Sequence, residues 1–169
     1  MCKVSHALRK KELKELRDDV CQHMGGLCDY LGEFESGFLS VKDEFKLYII
    51  NNIPSFVELK DGTLIPTLVL LKMAGIKSLN YVVVDEGAVK HILNGADVMA
   101  PGITETTVFN VSDLVAVWNP TRTAPLCVGK ALMSSEEIMK VRKGKAVKNL
   151  HHAGDDIWKA CLEFVSKSK

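Results

Sequence analysis

The sequence predicts an α+β chain of two units: an N-terminal α+β unit over residues 1–78 and a small mixed barrel over residues 79–158, followed by a helical tail over residues 159–169. Three observations predict it. Leu8, Leu13, Leu16, Val20 and Met24 recur near helical spacing at the start of the chain. A branched apolar run, YVVVD (81–85), opens a strand–helix unit that several separate strand candidates follow. Finally, 169 residues that are 47% hydrophobic and 25% charged suffice for one ordinary domain or two small ones, in a globular composition.

In order, HALRKKELKELRDDVCQHMGGL reads as an amphipathic helix ending near Gly25-Gly26. CDYLGEF and EFKLYIINNIPSFVELKDG read as strands joined by turns, with Asp61-Gly62 as a hairpin signal. In LIPTLVLLKMAG, Pro66 suits the first turn of a helix and Gly75 its C-terminal cap. EGAVKHILNG (86–95) reads as a short helix with acids at its start and Asn-Gly at its end. Ala88, Val89, Ile92 and Leu93 form its apolar stripe. VSDLVAVWN (111–119), PLCVGKALM (125–133) and GKAVKNLHHAGD (144–155) are strand candidates. The tail, DDIWKACLEFVSK, takes Asp155 or Asp156 as its N-cap and places Ile157, Cys161, Leu162 and Val165 at helical spacing.

Composition excludes several classes. The apolar run LIPTLVLL stops at Lys72, too soon to span a bilayer. The charged N-terminus does not read as a signal peptide. Five cysteines (Cys2, Cys21, Cys28, Cys127 and Cys161) show no CxxC spacing, which argues against a zinc site or a disulfide framework and for reduced thiols in a cytoplasmic protein. The net charge is only +1 but is unevenly spread. Residues 1–17 hold six basic and two acidic side chains, and residues 18–80 hold five and nine. Residues 140–148 carry Lys140, Arg142, Lys143, Lys145 and Lys148 with no acid. Local basic patches, not net charge, mark nucleic-acid binding; each patch by itself is equally a solvated face.

No catalytic signature emerges: no Walker loop, dinucleotide fingerprint, HExxH or GxSxG. His151 and His152 are adjacent on an expected strand, so their rings face opposite ways and do not share a metal. Asp97 has no chemical company in the sequence, and its expected role is to bond its own backbone at a turn. Cys127 lies in an apolar strand and packs. The stretch NGADVMAPGI (94–103) nevertheless has a physical use: Gly95 and Gly102 remove side-chain bulk, so a ligand backbone can approach a helix end closely. Exposed amides there meet phosphate oxygens, with Lys90 supplying charge.

The order VVVDEGAVKHILNGADVMAPGI (82–103), DLVAVW (113–118), APLCVGKALMSSEEI (124–138) and GKAVKNLHHAGDDIW (144–158) resembles a PUA domain, a small RNA-binding pseudobarrel. With LIPTLVLL upstream it resembles the malignant T-cell-amplified sequence/Tma20 group of translation-machinery-associated proteins, which carry an N-terminal pre-PUA domain; NGADVMAPGI and GKAVKNLHH look more like the archaeal members. The resemblance implies a pre-PUA domain over 1–78, a PUA domain over 79–158, and binding rather than catalysis, with no cofactor and no metal. It implies RNA contacts at Lys90, Asn94, Gly95, Ala96, Asp97 and Met99, with Lys148 and His151 as neighbours. The basic residues Lys140, Arg142, Lys143 and Lys145 are expected to add phosphate contacts. With few aromatics beside these lysines, a structured RNA (tRNA or ribosomal RNA) is expected rather than a stacked single strand. By the same resemblance, partners are the small ribosomal subunit and an initiation-factor-like protein with an SUI-type domain. Two alternatives are a protein–protein adaptor in translation initiation and an accessory subunit of a tRNA- or rRNA-modifying enzyme.

Overall fold

The computed structural model describes residues 4–167. The N-terminal half holds β1 (His6–Ala7), α1 (Lys10–His23), α2 (Gly25–Leu31), β2 (Gly37–Val41), β3 (Phe45–Ile50), β4 (Ile53–Leu59), β5 (Leu64–Pro66) and α3 (Leu68–Ala74). Its strands form one antiparallel sheet in the order β1-β2-β3-β4-β5. A 3-10 turn at Ile76–Ser78 leads into the second half. There follow β6 (Tyr81–Val84), α4 (Glu86–Leu93), β7 (Val98–Met99), β8 (Ile103–Thr106), β9 (Leu114–Trp118), β10 (Pro125–Ala131), α5 (Ser135–Val141), β11 (Lys145–His152) and α6 (Asp156–Lys167). These strands make a six-stranded mixed sheet, β7-β11-β10-β9-β6-β8, in which only β6 and β9 run parallel.

Alternation explains how the two halves meet. On β6 and β9, Val82, Val84, Val115 and Val117 share a core with Ile92, Ile103 and Ile138 inside the second unit. Their chain neighbours Val83, Ala116 and Trp118 share a different core with Leu68, Leu70 and Leu71 of α3. Successive strand residues face opposite ways, so this sheet is buried on both faces. That is why YVVV and LVAVW are continuous apolar runs rather than alternating ones. Tail helix α6 joins the same inter-unit core through Ile157 and Cys161. It begins at Asp156, with Asp155 as the cap whose carboxylate accepts the Trp158 N–H at 2.8 Å.

Four local expectations are corrected. Gly25-Gly26 does not end the helical region: Met24 breaks α1, and the glycines begin α2. CDYL therefore lies in a helix, not a strand. An added Cβ on Gly26 would lie 2.4 Å from the Ser78 carbonyl oxygen, so the start of α2 packs backbone-to-backbone on the turn between the units. Pro66 ends edge strand β5, and Thr67 caps α3 by accepting the Leu70 N–H at 3.1 Å. Val111, Ser112 and Asp113 precede β9 as a turn. Lastly, Cys21 and Cys28 are joined by a disulfide, with Cα atoms 5.0 Å apart. The expectation of no disulfide failed because the fold-back at Met24 is invisible in the Cys spacing.

Other expectations hold. Gly75 caps α3 at φ 95, and Asp61-Gly62 turns the β4–β5 hairpin with Asp61 accepting the Thr63 N–H at 2.9 Å. Cys127 is fully buried, and desolvation drives its thiol far above the ordinary range. No helix among the described residues is long and apolar enough to cross a membrane.

Candidate nucleic-acid interface

The α4 end is closed by a specific backbone pattern. The Gly95 N–H donates to the Ile92 carbonyl at 2.9 Å, and the Ala96 N–H donates to the His91 carbonyl at 3.0 Å. With Gly95 at φ 93, this is a Schellman closure, and glycine is the residue that adopts it without strain. At the other end, Asp85 caps α4 by accepting the Ala88 N–H at 3.0 Å. Beside α4 lies a groove of about 750 Å³, walled by Gly87, Ala88, His91, Gly95, Ala96, Asp97, Met99, Gly102 and Lys145 among others. Five of its lining residues, Gly87, Ala88, Gly95, Ala96 and Gly102, carry no side chain beyond a methyl group, which keeps those stretches of wall low. A Cβ on Gly102 would come within 3.2 Å of Ala88 Cβ, so glycine there lets the 3-10 turn Ala100–Gly102 lie against the helix.

Asp97 is fixed across the fold rather than within its own turn, which corrects the expectation. Its Oδ1 accepts the Asn149 N–H at 2.9 Å, and its Oδ2 lies 3.5 Å from Lys145 Nζ. With both oxygens engaged, Asp97 is a brace and not a free acid–base group. Asn149 completes the brace: its amide donates to the Ile92 carbonyl at 3.1 Å and to the Ala96 carbonyl at 3.0 Å. It thus adds a second donor to the Ile92 carbonyl, which the Gly95 N–H already bonds, and ties down the Ala96 carbonyl just beyond the helix end. Sequence reasoning missed Asn149. The available signal was an amide in the middle of an otherwise basic and apolar strand.

The structure divides the other expected site residues. Lys90, Asn94, Gly95, Ala96 and Met99 are exposed along α4 and the loop after it. Lys145 stands over the groove. Lys140 and Lys143 are exposed at the end of α5 and just beyond it. Arg142 is committed: its guanidinium donates to the Ile103 carbonyl at 2.7 Å and to the Pro101 carbonyl at 3.2 Å, pinning the far wall of the groove. Lys148 is registered against Lys130 of β10, and partners across an antiparallel ladder share a face. Lys130 lines the cleft near Gly62 and Thr63. Asn149 points to α4, so alternation also sends Lys148 to the face away from the groove.

His151 is the clearest departure. It is 0% exposed and accepts the Leu68 N–H through Nε2 at 3.2 Å. Nε2 must therefore be the unprotonated nitrogen, and Nδ1–H faces Asp155 at 2.9 Å. Burial raises the Asp155 carboxyl, but the hydrogen bond from His151, with those from the N–H groups of Trp158 and His152, outweighs it and holds the group below its usual range. His151 joins the two units and has no surface to offer RNA. His152, which was not chosen, is half-buried beside the groove, with Nε2 3.4 Å from where a Gly95 Cβ would stand. The opposite facing of the two rings is as expected. Among the described residues, no group of three or more His, Cys, Asp or Glu side chains could hold a metal.

Fold and site together define a PUA-domain protein with a pre-PUA N-terminal unit. The PUA domain model matches residues 80–153, and the Domain of unknown function (DUF1947) model matches residues 5–73. Malignant T-cell-amplified sequence 2 of Homo sapiens is 37% identical over 160 residues, covering 89% of this chain and 88% of that one. Translation machinery-associated protein 20 of Schizosaccharomyces pombe is 32% identical over 130 residues, covering 74% and 71%. A hypothetical protein of Pyrococcus horikoshii OT3 has a crystal structure that superposes with TM-score 0.82 at 35% identity, covering 94% of this chain and 99% of that one. The chain belongs to the malignant T-cell-amplified sequence/translation machinery-associated family of PUA proteins. Membership and the PUA fold support an RNA-binding, translation-related role.

Proposed function

We propose that this chain is a non-enzymatic RNA-binding protein of the translation machinery, working in the cytoplasm, whose α4 groove receives structured RNA, tRNA or ribosomal RNA. The observation that carries it is the braced helix end. Gly95 and Ala96 are exposed beside the groove, and their N–H groups are already bonded to the Ile92 and His91 carbonyls, so they offer close approach rather than the free amide donors the sequence suggests; Asp97 and Asn149 hold that backbone in place. A site that is already ordered loses less entropy on binding. Low walls let a sugar–phosphate strand approach, and Lys145 and Lys90 lie where phosphate charge can be met. Lys140 and Lys143 extend that positive surface beyond the far wall. Asn94 and Met99 offer a polar and an apolar contact at the rim. Arg142 holds the groove wall, Lys148 lies on the opposite face, and His152 rather than the buried His151 stands beside the groove. In this reading the small ribosomal subunit and an initiation-factor-like protein are the partners of the bound state.

Filter binding of tRNA and of ribosomal RNA fragments across a salt series tests the reading. The expected result is affinity that falls steeply with salt, and that falls further when Gly95 is replaced by Arg despite the added charge. Salt-independent binding, or a Gly95→Arg protein that binds the same RNA more tightly, would overturn it. Recovery of protein partners that survive nuclease treatment and need only the first unit would favour the adaptor alternative instead.

A further inference from the structure

The four cysteines among the described residues divide sharply by environment. Cys127 and Cys161 are fully buried, and desolvation pushes Cys161 up to about 12, so both are inert thiols. Cys21 and Cys28 are different. They sit on either side of the Met24 break, Cys21 half-buried near the end of α1 and Cys28 only 5% exposed in α2. Their Cα atoms are 5.0 Å apart, within the span a disulfide bridges without backbone movement. Around them Val20, Met24 and Leu27 are buried in the main core, so apolar packing already holds both helices. The elbow therefore does not need the S–S bond to exist, and the reduced pair remains in reach of itself.

The elbow also touches something of consequence. Gly26, two residues before Cys28, packs its backbone on Ser78, in the turn that connects the two units. His23, Met24, Gly25 and Gly26 line a cleft whose opposite wall is Ser78, Asn80 and Tyr81. Any stiffening of the elbow is felt first at that connection.

We propose that Cys21 and Cys28 form a reversible thiol–disulfide site that takes small-molecule disulfides of the glutathione class as its oxidant, and that its oxidised form stiffens the elbow against the inter-unit turn. The half-buried Cys21 thiolate attacks one sulfur of the small disulfide and expels the other as a thiolate, leaving a mixed disulfide on Cys21. The Cys28 thiolate then attacks the Cys21 sulfur and expels the second small thiolate. The two cysteines lose two electrons and two protons; the small disulfide gains both and leaves as two thiols. The inference is independent of RNA binding.

The test uses the full chain, fully reduced and then exposed to oxidised glutathione, with intact mass and peptide mapping under denaturing conditions. The expected product is lighter by two hydrogens, carries a Cys21–Cys28 cross-link, and reverts with excess reduced glutathione. Its melting temperature should rise by about 5 °C, and amide exchange at Ile76–Asn80 should slow. Cys28→Ser should stop midway, with a persistent glutathione adduct on Cys21. Three results would each overturn the proposal: a bond to Cys2 in place of the internal one, adducts on Cys127 or Cys161 from the folded protein, or identical amide exchange at Ile76–Asn80 in the oxidised and reduced forms.

Discussion

The two ends of β11 use the same materials for opposite purposes. At its start, Lys145 and Asn149 build an outward-facing groove wall, bracing Asp97 and the α4 end while leaving backbone exposed. At its finish, His151 turns inward, caps α3 of the other unit and is held by Asp155. Each end satisfies a helix terminus with a side chain from a distant strand. The difference is what covers the result: among the described residues the first stays open as a groove, and a continuous core covers the second. Polar side chains near a helix end thus mark a binding site only where the opposite side is open.

The largest expected effect breaks the second end. His151→Ala leaves the Leu68 N–H without a partner, takes one of three hydrogen-bond donors from the half-buried Asp155 and opens a cavity, at a cost of about 3 kcal/mol in urea unfolding. The adjacent His152→Ala should cost roughly 0.5 kcal/mol or less. Equal losses would dissolve the contrast between the two rings. Acid sharpens the same point. Asp155 is held below its ordinary range in the folded protein, so its contribution is fully present above about pH 4 and is lost as pH falls through the lowered folded value. Asp155→Asn should flatten that part of the stability curve, measured as urea midpoints between about pH 5 and 2.

At the groove end, Asn149→Ala removes one donor from each of the Ile92 and Ala96 carbonyls and loosens the brace on the α4 end. It should cost about 1–2 kcal/mol of stability and weaken RNA binding by roughly tenfold, about 1.4 kcal/mol. Gly95→Ala isolates the left-handed conformation at φ 93: about 1 kcal/mol of stability should be lost, with a smaller loss of affinity than Gly95→Arg shows. If Gly95→Ala binds RNA as poorly as Gly95→Arg, backbone shape rather than close approach sets the affinity.

Much of this architecture was legible locally. Asn94-Gly95 announced the α4 closure, and the branched apolar run YVVV announced a strand. What was not legible depends on pairings between distant segments. Alternation says that His151 and His152 face opposite ways; it cannot say which face the first unit covers. Asp97 meets Asn149 across 52 positions, so no turn rule finds it. Pro66 and Gly25-Gly26 were misread for a related reason. Proline is tolerated at the end of an edge strand as well as at a helix start, and a glycine sits in the first turn of a helix where close backbone packing, here of Gly26 on Ser78, demands it. The expected RNA contacts span two faces of one strand because sequence order places Lys145 and Lys148 together, while the sheet separates them.

That separation yields the smallest expected effect and the finest test of the groove. Removing one phosphate contact lowers the slope of log affinity against log salt by about 0.7–0.9. Lys145→Gln should show this reduction, and with it a modest loss of affinity for every RNA tested. Lys148→Gln, on the face shared with Lys130, should leave the slope unchanged. Arg142→Gln should instead weaken binding through the groove wall, because its guanidinium holds the Pro101 and Ile103 carbonyls and is not available to phosphate. If the slope drops for Lys148 and not for Lys145, RNA lies on the inter-unit face, and the braced α4 end is a structural closure alone.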